Sequence, residues 1–424
     1  MNAIVNFSRG MIICLIITLW SSASFAEAKP SILTLTTAIH EAISREPTLQ
    51  QAQASADALT QEAVANGQLP DPKLTLGVAN VPTDDFTLTH DDMTMTEIGV
   101  SQYFPAGHAL SDKSKQTQAL SFAAEQRQRE MTLTLIQQVS NTWLELYYAV
   151  QAKDSIQKQQ QLLKSIVHAT EAQYATEKTS QQIVLQTQLE SSELEDKQFQ
   201  LQQQIESLRA ILSRWIGDEA MRPLGTEIPE FSTPSLIELK KGLLTHPLLT
   251  GDNDRIEAAR QEMAWNKEQY KPGFDVGVGY GARQGSPSHG MRRSDFVSAE
   301  VTMDLPVFTR NRQDKRLKAS EDKLVAAELN RQIHYRDLSA QLSEQYALWQ
   351  KLNQRALLYK KSIIPKAAQN AKAALLAYQS AAGDFINVIQ ANRLILDLRL
   401  AQLRIQVDCR KAQINLNYLR GVLI

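Results

Sequence analysis

Two hydrophobic rhythms alternate along this chain. The first has the period of a helix. Apolar residues recur at three- and four-residue steps in Trp143, Leu146, Val150, in Ile205, Leu208, Leu212, Trp215, in Leu342, Tyr346, Trp349, and in Leu396, Leu400, Leu403, Val407. No glycine or proline occurs from His108 to Ile216 or from Val307 to Ile364, and good helix formers dominate both stretches. The spacing predicts very long helices packed through coiled-coil seams. One helix from about 108 to 174 would reach on the order of 100 Å. A narrow apolar stripe of this kind must be buried against a partner, so each long helix is expected to fold back as a hairpin. Pro365 is expected to interrupt and bend the third long helix.

The second rhythm has period two. Leu74, Leu76 and Val78, and then Ile98, Val100 and Phe104, are apolar, with Glu97 and Ser101 on the opposite side. Phe274, Val276, Val278 and Tyr280 alternate with Asp275 and three glycines, and Val297 to Leu305 alternates with Ser298, Glu300, Thr302 and Asp304. Strands are predicted at about 73–81, 94–104, 273–282 and 295–305. Such segments suit either a transmembrane barrel with a wet lumen or an ordinary half-buried antiparallel sheet. In the barrel reading, Glu97, Asp275, Glu300 and Asp304 face the lumen, while Thr83–Asp92 and Arg283–Ser294 are external loops. A single-chain barrel starts at about eight strands. Four strands would leave bare edges in lipid, so two, three or four copies must share one barrel.

The chain also repeats itself. Pro47 and Pro247, Pro72 and Pro272, and Gly77 and Gly277 are each 200 positions apart, while Pro105 and Pro306 are 201 apart and Tyr174 and Tyr378 are 204 apart. The resulting plan is a leader at 1–26, a first repeat at 27–216, a linker at 217–234 and a second repeat at 235–424. Each repeat holds a helix, two strands and a long helical hairpin. The fold class is therefore mainly α with a β-barrel part.

Composition adds limits. A short apolar run at Met11–Trp20 followed by Ser24 and Ala26 reads as a secretory signal peptide cut after Ala26 or Ala28. No later run of about 18 apolar residues is available for a transmembrane helix. Cys14 lies in the leader and Cys409 stands alone, so no internal disulfide is expected. A formal net charge of -1 points to no nucleic-acid partner. The chain lacks Gly-x-Ser-x-Gly, His-Glu-x-x-His and a phosphate-cradling loop, so neither enzyme chemistry nor a cofactor is expected. His90-Asp91-Asp92-Met93-Thr94-Met95 contains metal-ligand types, but it falls in a loop without the spacing of a closed site, so no metal site is expected.

With the duplicated plan, Leu35-Thr36-Thr37-Ala38-Ile39 followed by Pro47-Thr48-Leu49, and the segment Tyr378 to Ala391, the chain resembles the TolC outer-membrane efflux family. The resemblance implies a homotrimer in outer-membrane lipid with one twelve-stranded barrel, an α-helical periplasmic tunnel and an equatorial region that includes Gly217–Thr233. It further implies a passive exit duct that meets a periplasmic adaptor and an inner-membrane pump. The tips Lys178-Thr179-Ser180 and Ala382-Gly383-Asp384 would dock the adaptor, and Asp384, Asn387 and Gln390 would line the periplasmic gate. Pro70 to Pro82 further resembles the CusC/CzcC-like branch, which serves resistance-nodulation-division pumps for heavy metals, although no cysteine stands at the expected mature N-terminus. Two departures matter. The family's tip glycines are replaced by Glu177 and Ala381, and its acidic gate positions by neutral Asn387 and Gln390. Drug efflux and type I secretion remain alternatives. A periplasmic adaptor or structural coiled-coil protein is a further one, set against the presence of two hairpins and two strand pairs.

Overall fold

The computed structural model describes residues 32–177, 179–225, 227–229, 234–285, 292–380 and 382–422. The expected leader lies outside these residues.

Both repeats start alike. Thr34 and Thr37 form a capping box that opens α1 (Leu35–Arg45), and α2 (Pro47–Asn66) follows with proline in its first turn. In the second repeat, Ser235 and Glu238 box the start of α5 (Leu236–Leu244), and α6 (Pro247–Glu268) again begins on proline. The boxes satisfy backbone donors that a helix start leaves free. After α2 come β1 (Lys73–Ala79) and β2 (Met95–Phe104); after α6 come β3 (Phe274–Arg283) and β4 (Phe296–Met303). The four strands form one antiparallel sheet in the order β1-β2-β3-β4.

Each strand pair leads into a long hairpin. In the first, α3 (Ala109–Ala175) returns as α4 (Gln181–Ile216). In the second, α7 (Gln313–Leu358), a π turn (Tyr359–Ile363) and α8 (Ile364–Gln379) return as α9 (Phe385–Arg420). The 46, 5 and 16 residues of α7, the π turn and α8 match the 67 of α3, and α4 and α9 have 36 each. The duplication therefore keeps helix length, and its growing offset is taken up in the coil between β4 and α7.

The π turn refines the expectation for Pro365. Proline removes a donor and crowds the preceding turn. Here the disturbance is absorbed by the wide turn just before Ile364-Pro365, and the helix resumes as α8 instead of ending.

Half-way along α3 the seam broadens into a core. Trp143, Leu144 and Leu146 of α3 pack with Leu33, Leu35 and Ala38 near the chain start, Leu212 and Ile216 of α4, and Val407 and Ile414 of α9. Leu33 also bridges to Leu224 in the linker and donates its N–H to the Pro223 carbonyl at 2.8 Å. The second repeat builds its counterpart from Leu239, Leu243, Leu249, Leu338, Leu342, Leu416 and Leu419. The Trp143 and Leu342 stretches, expected as two-helix seams, thus serve multi-element cores. Short helices α1 and α5 cover them there, and a helical period alone does not reveal how many elements meet a stripe. Nearer the tips the seam is narrow again, with Ile156, Leu163, Leu194 and Leu396.

The strand-to-helix junction depends on one glycine. Gly107 has φ +50, and a Cβ there would lie 1.8 Å from Glu268 Oε2. That same oxygen accepts the His108 N–H at 2.7 Å, and Lys271 Nζ holds it from the other side at 2.7 Å. Gly107→Ala adds left-handed strain and displaces Glu268. A loss of about 1–3 kcal/mol in thermal unfolding of the purified protein is expected.

Candidate channel path and its two ends

Alternation in sequence becomes two faces through register. Val100 pairs with Leu74 and with Val278, which pairs with Ala299; Ile98 pairs with Leu76 and Tyr280, which pairs with Val297. One face is therefore a continuous apolar sheet. In the single chain it is open to solvent, with Val278 61% and Val297 82% exposed. Among the described residues no helix is long and apolar enough to cross a membrane.

The opposite face is polar and concave. Glu97 pairs with Gly281, Asp275 with Tyr103 and Thr302, and Glu300 with Gly277. All three carboxylates line one hollow of about 420 Å³ together with Thr75, Ser101 and Ser298. Asp304 lies just past β4, donates its N–H to the Gly273 carbonyl and accepts from the Tyr103 hydroxyl at 3.0 Å. A Cβ at Gly273 would come within 2.4 Å of that hydroxyl, so the contact needs glycine. The four lumen candidates thus share the polar side, Asp304 at the end nearest the helices.

At the other end, His90 is engaged by Asp85, an exposed pair in which hydrogen bonding raises the His90 pKa from its ordinary value. Asp91 Oδ1 turns back to accept the Met93 N–H at 2.7 Å. Among the described residues no group of three or more His, Cys, Asp or Glu side chains is placed to hold a metal.

The helical tips lie at the far end of the hairpins. Thr179 is half-buried, while Ser180, Ala382 and Asp384 are exposed and Gly383 is half-buried. Lys178 and Ala381 lie outside the described residues. Asp384 starts α9 with its side chain free of any capping bond, and Asn387 and Gln390 are both exposed on the first turns of that helix. Tyr378 joins the two hairpins. Its hydroxyl accepts from Gln173 Nε2 at 3.1 Å, and its ring sits 5.0 Å from Phe385. Further along, Arg393 of α9 reaches Glu190 at 2.7 Å and Glu193 at 3.2 Å on α4.

Glu177 has φ +57, which explains why a glycine suits this turn. The left-handed cost of a side chain exceeds glycine's extra chain entropy by a small margin. Glu177→Gly is expected to stabilise the tip by about 0.5–1 kcal/mol. The readout is amide exchange at Thr176 and Glu177, whose N–H groups bond to Gln173 and Tyr174 carbonyls. Exchange should slow roughly two- to fivefold.

Mid-hairpin, one polar cluster escaped the sequence reading. Glu145 of α3 takes Arg404 of α9 in a bidentate pair at 2.6 and 2.8 Å, and Lys411 at 2.6 Å. Arg404 also reaches Asp408 at 2.5 Å and lies over the Tyr148 ring. Burial alone would raise the Glu145 pKa, but the hydrogen bonds from Arg404 and Lys411 outweigh it and hold the carboxyl at about 2. The only hint in sequence is a glutamate inside the apolar run Trp143–Tyr148.

Residues 241–422 match the family model "Outer membrane efflux protein". Over 91% of the chain the fold agrees with that of solved structures. CusC matches with a TM-score of 0.77 at 16% identity over 91% of this chain and 92% of its own. The outer membrane protein VceC from Vibrio cholerae matches at 0.75 and 17% identity, over 91% and 96%. The open-state MtrE outer membrane channel of Neisseria gonorrhoeae matches at 0.72 and 13% identity, over 91% and 88%. No curated protein sequence matches the chain significantly. The chain thus shares with these structures a strand region at one end and long helical hairpins leading away from it.

Proposed function

We propose that this chain forms the exit duct of a tripartite efflux system for heavy-metal cations, driven by a resistance-nodulation-division pump. The observation that carries the metal reading is the Pro70–Pro82 stretch around β1, which resembles the CusC/CzcC-like branch. Glu97, Asp275 and Glu300 on the polar face suit it, because carboxylates lower the energy of a cation in a lumen. Three chains supply twelve strands and close the barrel without free edges. The half-exposed row Val325, Leu329 and Ile333 on α7 supports assembly, since a single chain leaves it in water. Lys178, Thr179, Ser180, Ala382, Gly383 and Asp384 dock the adaptor, and Asp384, Asn387 and Gln390 surround the periplasmic entrance.

A second reading, drug efflux or type I secretion, is favoured by the neutral Asn387 and Gln390, which give the entrance no carboxylate ring there. Growth of a deletion strain on graded copper, silver, zinc, cadmium and nickel, beside drugs and detergents, separates the two. Metal sensitivity restored by the intact gene, but not by one with both tips replaced, is expected. Sensitivity to drugs alone would overturn the metal reading and leave the channel.

A further inference from the structure

Two external loops of the duplicated unit are joined by one side chain. Arg293, from the β3–β4 connection, is only 8% exposed. Its Nη1 donates to the Thr89 carbonyl at 2.9 Å and the Asp91 carbonyl at 3.3 Å, both in the β1–β2 loop, and to the Gln284 carbonyl at 2.8 Å. Its Nη2 meets Asp92 Oδ1 at 2.6 Å. The approach is tight: Gly285 has φ +90, and a Cβ there would lie 3.0 Å from the Thr89 carbonyl and 3.1 Å from Arg293 Nη1.

Arg283 adds a second arm. It donates through Nη1 to the Asp92 carbonyl at 3.0 Å and through Nε to the Ser294 carbonyl at 2.5 Å, with its guanidinium 4.1 Å above the Phe296 ring. Arg283 pairs with Met95 and Phe296 with Gly281, which puts both on the polar face of the sheet. The clasp therefore sits on the lumen side of the outer rim.

The energetics favour a device with two states. A guanidinium taken out of water needs full compensation. Arg293 finds three carbonyls and one carboxylate, but that carboxylate is itself 73% exposed, and Arg293 Nε is buried without a hydrogen-bond partner among the described residues. Closing gains charge-assisted bonds, while opening returns the cation to water. These contacts can part without breaking any strand pairing.

We propose that Arg293, supported by Arg283, latches the described arms of the β3–β4 connection (283–285 and 292–295) onto the β1–β2 loop and so narrows the external mouth of each chain, independent of the periplasmic tips. This rests on the reading of the polar face as the lumen. The latch decides how wide the exit stands.

The test uses the full-length protein as Arg293→Gln and Arg293→Lys, in planar bilayers and in intact cells treated with chymotrypsin. Phe86 in the β1–β2 loop is 74% exposed and reports loop release as cleavage. Arg293→Gln should be cut there at least tenfold faster and conduct about 1.5 times more per channel. Arg293→Lys should behave like the glutamine variant, because an ammonium keeps the charge but not the planar fork that serves several carbonyls. Unchanged cleavage and conductance in Arg293→Gln overturn the latch. Wild-type behaviour of Arg293→Lys overturns it too, since charge alone would then suffice. Should Arg293→Gln fail to assemble, Asp92→Asn removes a single arm and must shift both readouts in the same direction; no shift overturns the proposal. Thr75→Arg, on the same polar face away from the clasp, reads the lumen assignment separately through its own conductance.

Discussion

Val278→Arg is expected to abolish accumulation of the folded oligomer in the outer membrane. Val278 stands mid-strand in β3, flanked in register by Val100 and Ala299 on the apolar face. If that face meets lipid, an arginine near the bilayer midplane costs about 2–4 kcal/mol per chain, and every copy in the assembly bears it. The same substitution on the other face should be tolerated. Thr75→Arg places its charge beside Glu97 and Ser298 in the polar hollow, where it meets water and carboxylates. The measurement is the heat-modifiable oligomer in washed outer-membrane fractions. Assembly lost in Val278→Arg and kept in Thr75→Arg is the expected pattern. Equal assembly of both variants would mean that the apolar face is covered by protein rather than lipid.

Arg404→Met should destabilise the helical hairpins by about 1–3 kcal/mol at neutral pH. Removing one partner of a shielded ion pair leaves the other charge uncompensated. Glu145 retains Lys411, and its side chain is 20% exposed, so the loss stays below that of a fully buried pair. The effect has a pH signature. Glu145 is held at about 2, well under its ordinary 4.5. A depressed carboxyl stabilises the fold fully above the ordinary value, and that contribution fades as pH falls from about 4.5 towards 2. Melting curves of the wild type and Arg404→Met should therefore converge on acidification through this window. A gap that stays constant down to pH 2 would assign the loss to packing of the guanidinium on the Tyr148 ring. The double variant Glu145→Gln with Arg404→Met should lose less than the sum of the single changes, because both disrupt one interaction.

Much of this architecture was legible before any coordinates. The strands at Lys73–Ala79, Met95–Phe104, Phe274–Arg283 and Phe296–Met303 follow the alternation of apolar and polar residues, because a pleated chain sends successive side chains to opposite faces. The run free of glycine and proline from His108 foretold the 67 residues of α3. At Glu177 the sequence departs from a glycine habit, and the backbone there, with φ +57, shows why glycine suits the turn.

What sequence alone determined was the strands, the long hairpins and the duplication, since both rhythms are set by backbone geometry within a few residues; the single helix expected ahead of each strand pair is in fact two, split before Pro47 and Pro247, where proline starts a new helix. What only the tertiary structure decided was which faces meet. Glu145 and Arg404 are 259 positions apart, Gln173 and Tyr378 are 205 apart, and the Arg293 clasp spans 204 positions to Thr89. The widening of the Trp143 seam into a core and the Arg293 contacts between loops both depend on distances between side chains that no local period encodes. Hydrogen-bond and ion-pair energies fall off within a few ångströms, so they are fixed only once the folded chain has brought those residues together.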